Sequence, residues 1–304
     1  MPCTLEATPW WRSVMKRVFG LRERVVDLGR GELVLWRHPL YRRAISTPYR
    51  DRLGLAWEGP PPGVDDLVEA VRAEEPVVLK DVGELETPTR VAGLRQQHTN
   101  ADVVLDEDLE KRLGRAARKS VRKAREDYGL EVDVDPRACF ESFWEIYLDT
   151  RRRLGVPPYS RRFFALLFDA LGGPVVLFRC RLDRRALGYL ICYRHEDDLV
   201  SAHLGYEYRE RHLKVADYLF VTAFLWGRDD GRQRYRFGGD YNNQISLIEA
   251  KRKLGAVPRP QYDYVTKPYR IQEDRPEALV RRMLRATPPR LFRRASLLTR
   301  IYFA

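Results

Sequence analysis

The stretch DLVSAHLGY (198–206), EYRERHLKV (207–215), ADYLFVTAFLWGRDDG (216–231), RYRFGGDYNN (234–243) and QISLIEAKRKLGA (244–256) decides the fold class. Its first segment is β-branched and apolar, a strand. The second is a charged loop, and the third carries apolar residues at helical spacing before the terminating Gly231. The next strand alternates into Phe237, breaks at Gly238 and Gly239, and presents Asp240, Tyr241 and Asn242 ahead of a final helix. Open α/β sheets bind ligands beyond the carboxyl ends of their strands, so the chemistry is expected here.

The rest of the chain sets limits. Its 304 residues suit two packed units, and 44% apolar with 32% charged residues is the balance of a globular protein. No run of about 18 apolar residues offers a membrane span. MPCTLEATPWWRSVMKRVFGLRER lacks the charged, apolar and small-residue order of a signal peptide. Cys3, Cys139, Cys180 and Cys192 have no C-x-x-C spacing, which argues against zinc, iron–sulfur and redox motifs and fits reduced thiols in the cytoplasm. His38, His98, His195 and His212 show no metal-ligand spacing, so no metal is expected. There is no P-loop and no G-x-S-x-G elbow. A net charge of +12 selects anionic partners: nucleic acid, phosphorylated small molecules or an acidic membrane surface.

Working outward, residues 1–128 read as a mixed α/β domain. It opens with an amphipathic helix over Trp10–Phe19, continues through short strands, and includes a strand pair in TPTRVAGLRQQHTNADVVLD. Its turn TPYRDRLGL carries Tyr49 and Arg50, which suit the wall of a cleft as well as a surface turn. The domain ends in DLEKRLGRAARKSVRKAREDYG. Placed on one helix, Leu109, Leu113, Ala117, Val121, Ala124 and Tyr128 form a narrow packing stripe, and Arg118, Arg122 and their basic neighbours cover the rest. That surface serves either as a solvated linker or as a phosphate contact. Residues 129–270 form the second domain, where Arg151 and Tyr159 flank a Pro-Pro turn. Residues 271–304 are a basic amphipathic tail, expected either to lie on an anionic membrane or to pack on the first domain.

KSVRKAREDYGLEV (119–132), YLDTRRRLGVPPYSRRFF (147–164), LGYLICYRHEDDLVSAHLGYEYRERH (187–212), YRFGGD (235–240) and EAKRKLGA (249–256) resemble the FemAB-related family, including its exopolysaccharide- and exosortase-associated versions. TPYRDRLGL (47–55) extends the resemblance to the first domain. The resemblance implies an α/β fold of two tandem GNAT-like acyltransferase domains with mixed sheets. It also implies transfer of acyl or aminoacyl groups to amines of cell-envelope precursors, with acyl-CoA or aminoacyl-tRNA as donor. Two departures stand out: the loop YRERHLKVA lacks the glycines of a coenzyme A pyrophosphate loop, and no heptad arm of the tRNA-using members is present.

Acyl transfer to an amine needs a proton acceptor, donors for the oxyanion and a proton for the leaving group. Asp240, Tyr241 and His203 are the candidates for proton transfer, and backbone N–H groups near Gly205 and Tyr206 for the oxyanion. Arg209, Arg211 and Lys214 are placed to bind donor phosphates. Lys251 and Arg252, with Tyr49, Arg50, Arg118, Arg122, Arg151 and Tyr159, are the candidates for an anionic acceptor. Three functions follow: an N-acyltransferase acting on an anionic small-molecule or lipid-linked sugar precursor, an aminoacyl-tRNA-dependent peptidoglycan transferase, or a non-catalytic protein that binds nucleic acid or membrane. The expected location is the cytoplasm or the inner membrane face.

Overall fold

The computed structural model describes residues 3–37, 44–47, 53–74, 76–82, 94–266 and 275–296. These fall into two compact units, one from residues up to 99 with 259–266, the other from 100–258 with 275–296. The basic segment and the described tail lie in the second unit, so this division differs from the expected boundaries at 128 and 270.

In the first unit, α1 (Pro9–Val14) begins with Thr8, whose hydroxyl accepts from the Trp11 N–H, and with a proline at a position that needs no donor. Trp11, Val14, Met15 and Val18 are buried, on the side their spacing indicates. Strands β1 (Arg22–Asp27) and β2 (Gly31–Arg37) form a hairpin. β2 also pairs with β3 (Ala44–Ile45) and β4 (Leu55–Trp57), while α2 (Val64–Ala70) buries Leu67 in the core. β5 (Val77–Leu79) runs parallel to β3 and antiparallel to the strand Val257–Val265. Tyr49 and Arg50 lie outside the described residues. So does the first part of the expected strand pair, and its described part is one strand, β6 (Leu94–Val104).

The end of β6 opens the second unit. The basic segment that follows is two helices, α3 (Leu109–Arg112) and α4 (Arg115–Arg122), where one was expected. The break is tertiary: the Gly114 N–H donates to the Lys253 carbonyl at 3.0 Å, and a Cβ on Gly114 would come within 2.8 Å of that oxygen. The packing stripe survives the break, because Leu109, Leu113, Ala117 and Ala124 are all buried.

Then follow β7 (Glu131–Val134), α5 (Phe140–Leu154), α6 (Arg161–Asp169), β8 (Val175–Leu182), β9 (Arg185–His195), β10 (Asp198–Tyr206), α7 (Val215–Asp229), β11 (Arg234–Arg236) and α8 (Ile245–Lys253). The sheet of this unit runs β6–β11–β10–β9–β8–β7. Its pairs are antiparallel except β10 with β11. Neighbouring residues of β9 show that α5 and α7 cover opposite faces: the Tyr189 ring meets Phe143 of α5 edge-on at 5.6 Å, whereas a Cβ on Gly188 would strike Val215 of α7.

The described tail, α9 (Arg275–Ala286) and α10 (Pro289–Phe292), packs on α5 within the second unit, which corrects the expectation of packing on the first domain. Gly155 ends α5 in the left-handed region (φ +70°), and its missing Cβ admits the Arg281 backbone, whose oxygen would lie 2.6 Å from such an atom. Leu284 and Phe292 are buried there. Among the described residues no helix is long and apolar enough to cross a membrane.

Candidate active site

β10 and β11 pair only over Asp198–Val200 with Arg234–Arg236. β10 runs on to Tyr206, still held by β9. The chain after β11 instead follows β6, since the Phe237 N–H donates to the Ala101 carbonyl at 3.0 Å. The two strands therefore part, and among the described residues no strand lies beside that edge of β10 beyond Val200. The Glu207 N–H donates toward β9, to Leu187 O at 2.8 Å. By alternation, the peptide groups of Leu204 and Tyr206 point to the open edge. Of the two residues named for the oxyanion, Tyr206 has its N–H on that edge together with Leu204, whereas the Gly205 N–H points to β9.

The closed end of this fork is an ion cluster. Buried Arg236 places Nε 2.6 Å from Asp198 Oδ2 and Nη1 3.8 Å from Asp102 Oδ2, and Arg234 Nε donates to Asp198 Oδ1 at 2.9 Å. The Arg236–Asp198 approach is a contact ion pair off the angle of a hydrogen bond, and it ties β10 to β11 where they still pair.

A register shift in β10 between Ser201 and His203 turns the strand over. Leu199 lies against Gly227 of α7, whereas His203 and Gly205 face α5 and α6. His203 is half-buried among Tyr147, Tyr159, Phe163 and Phe164, with ring centroids 5.0–6.1 Å away. Tyr159 is fixed in turn, its N–H donating to the Tyr147 hydroxyl at 2.8 Å. Burial drives the Tyr147 hydroxyl well above its ordinary pKa, so it stays neutral and keeps that role. Burial also pushes Cys180 up to about 12 and raises Cys139, which makes both poor nucleophiles near neutral pH.

The loop before α7 is a 3-10 helix, Tyr208–Leu213, closed by Lys214 in the left-handed region (φ +65°). Arg209, Arg211 and Lys214 are all exposed on it. Its acidic residues are engaged by Arg185, at 3.5 Å from Glu207 and 3.3 Å from Glu210. Sequence reasoning missed Arg153, at the end of α5. Its guanidinium carbon lies 4.3 Å from the Tyr208 ring centroid and 5.8 Å from that of Tyr206, while Arg211 lies 4.7 Å from Tyr208.

On the other side of the fork, Lys251 of α8 reaches back to the strand end. Its Nζ sits 2.6 Å from Asp240 Oδ2, donates to Gly238 O at 3.0 Å and lies 5.4 Å from the Phe237 ring centroid. Asp240 and Lys251, expected in separate roles, are thus one pair. Tyr241 is 44% exposed. Three acceptor candidates engage their own surroundings: Arg118 donates to the carbonyls of Glu110 and Lys111, Arg151 to Pro157 O, and Arg252 pairs with Glu249. Arg122 is exposed on α4.

Residues 111–244 match the family model of the acetyltransferase (GNAT) domain. The chain carries a GNAT-type acyltransferase domain. No curated protein matches the sequence. The GNAT domain sits in a chain whose fold extends further: FemX superposes with a TM-score of 0.65 at 14% identity, covering 86% of this chain and 92% of FemX. The C-terminal domain of a putative lysylphosphatidylglycerol synthetase from Agrobacterium fabrum gives 0.57 at 15% identity, covering 90% of this chain and 89% of that one. L-PGS from Bacillus licheniformis gives 0.55 at 15% identity, covering 92% and 97%. The chain therefore shares its fold with these proteins, and the parting strands β10 and β11 lie inside the GNAT domain.

Proposed function

We propose that the GNAT domain transfers an acyl or aminoacyl group to an amine of an anionic cell-envelope or exopolysaccharide precursor. The observation that carries this reading is the open edge of β10 beside Arg209, Arg211 and Lys214, whose neighbouring carboxylates are engaged elsewhere. The acyl group lies along the edge, with its carbonyl oxygen receiving the Leu204 or Tyr206 N–H. The amine nitrogen attacks the carbonyl carbon, the bond to the thiol sulfur or ribose oxygen breaks, and the amine gives up its proton to Asp240. Tyr241 or solvent protonates the departing group. Lys251 holds Asp240 in place, and His203 lines the face toward α5.

Acyl-CoA is the first donor to test, because the GNAT fold generally uses it. The aminoacyl-tRNA reading draws support from the loop without glycine and from exposed Arg115, Lys119 and Arg122 on α4, which suit a nucleic-acid backbone. Incubation of the protein with radiolabelled acetyl-CoA or with charged tRNA, each with amino-sugar nucleotides as acceptors, is expected to label product from one donor. Labelling from neither sinks the transfer reading and favours a binding protein.

The tail carries a second part of the proposal, a peripheral contact with an anionic membrane. Leu284 faces inward, yet Leu279 and Met283, one turn apart on the opposite side, are 60% and 62% exposed. Exposed Arg282, Arg285, Arg290, Arg293 and Arg294 flank them. An outward apolar stripe bordered by arginines fits an acidic lipid surface. The full chain is expected to sediment with phosphatidylglycerol vesicles at low salt but not with phosphatidylcholine vesicles, and Leu279→Ser with Met283→Ser to abolish this. Equal behaviour with both lipids, or an unaffected double variant, contradicts the membrane contact.

A further inference from the structure

In the proposed reaction an amine gives up a proton to Asp240 and attacks the carbonyl carbon of the donor. The chain already holds an amine beside that carboxylate. Lys251 Nζ lies 2.6 Å from Asp240 Oδ2, and the two side chains are only 14% and 13% exposed. Nζ donates to Gly238 O at 3.0 Å, whereas the buried Asp240 Oδ2 makes the ionic contact without a hydrogen bond and so keeps a lone pair for a proton. The amine also sits 5.4 Å from the Phe237 ring centroid, and that ring meets Phe220 of α7 edge-on at 5.0 Å, which holds Nζ toward the fork rather than toward water. Lys111 of α3 is a useful contrast: it lies 2.7 Å from Asp108 Oδ1, yet its side chain is 83% exposed.

We propose that Lys251 is itself an acceptor, and that without an external amine the domain acylates its own Lys251. This rests on the transfer reading, since a base that serves an acceptor amine at the acyl carbon brings its own lysine partner within reach of the same carbon. The flexible stem of Lys251 lets Nζ leave Gly238 O for that carbon. Its ammonium passes one proton to Asp240, the nitrogen bonds to the carbonyl carbon, and the bond to the thiol sulfur or ribose oxygen breaks. The leaving group takes the second nitrogen proton, Asp240 releases its own to solvent, and an uncharged amide remains on the side chain. That amide no longer forms an ion pair with Asp240, so the modified chain is slower toward an external amine. Self-acylation thus lowers activity when donor is plentiful and acceptor is scarce.

Peptide mass spectrometry of the full chain after incubation with acetyl-CoA or a mixture of aminoacyl-tRNAs, with and without amino-sugar nucleotides, tests this. One donor is expected to add its acyl mass to Lys251 about 100-fold faster than to Lys111, because Lys251 is held against the bound donor. An external amine that is acylated is expected to slow the marking of Lys251. Asp240→Asn is expected to lower the rate at Lys251 about 100-fold and to leave Lys111 unchanged. Lys251→Arg keeps the cation and is expected to carry no mark at that position. Should either variant fail to fold, the ratio of the two lysines in wild type, and its fall on adding amine, still decide. Acylation of the nucleotide while Lys251 is marked no faster than Lys111 overturns self-acylation and leaves the transfer reading standing. A marked Lys251 with no nucleotide product supports self-acylation and counts against the proposed acceptor alone. If neither donor marks the nucleotide or Lys251, both readings fall.

Discussion

Asp198→Ala is expected to destabilise the second unit by about 3 to 5 kcal/mol, the usual cost of removing one partner of a buried ion pair. The substitution removes the carboxylate that lies 2.6 Å from the Arg236 guanidinium, which is only 4% exposed. Replacing both members with apolar residues, Asp198→Leu with Arg236→Met, is expected to recover most of the loss, because no unpaired charge remains. Since the chain has two units, the measurement is the denaturant midpoint of the transition reported by amides of β10 and β11 rather than a single global melt. A change below about 1 kcal/mol in Asp198→Ala would show that the cluster is solvated and does not fasten the fork.

Asp240→Asn is expected to lower kcat about 100-fold with KM within a few-fold of wild type, because a proton acceptor acts in the transition state and contributes little to ground-state binding. In the proposed reaction Lys251, 2.6 Å from its carboxylate and bonded to the Gly238 carbonyl, holds it in place. Lys251→Met is expected to reduce kcat as well, by losing the position of the acid rather than the acid itself. The double variant should then be little worse than Asp240→Asn, since the two act as a unit. If Asp240→Asn turns over at the wild-type rate, the pair serves only to close the strand end on α8.

Local pattern carried much of this structure. The order strand, loop, helix, strand, helix over 198–256 is present, and so is the buried stripe of the basic segment, because both are written in the spacing of apolar residues along one element. Features set by partners distant in the chain were not legible. Lys253 breaks the basic helix at Gly114, and Arg281 presses on Gly155 and so draws the tail onto α5. The shift that turns His203 toward α5 depends on the register with β9, which residue type does not encode. Asp240 and Lys251 looked like separate groups because a helix turn and a loop lie between them. Arg153 was hidden in a run of three arginines at a helix end, where charge complements the helix dipole and carries no other signal.

In the proposed reaction the donor lies along the open edge of β10. Amide hydrogen exchange of the full chain, with and without acetyl-CoA or a mixture of aminoacyl-tRNAs, reads that edge directly. One donor is expected to slow exchange at Leu204 and Tyr206 while leaving the β8–β9 turn at Asp183 and Arg184 unchanged. Unaltered exchange at Leu204 and Tyr206 with both donors, or protection confined to other segments, would contradict it.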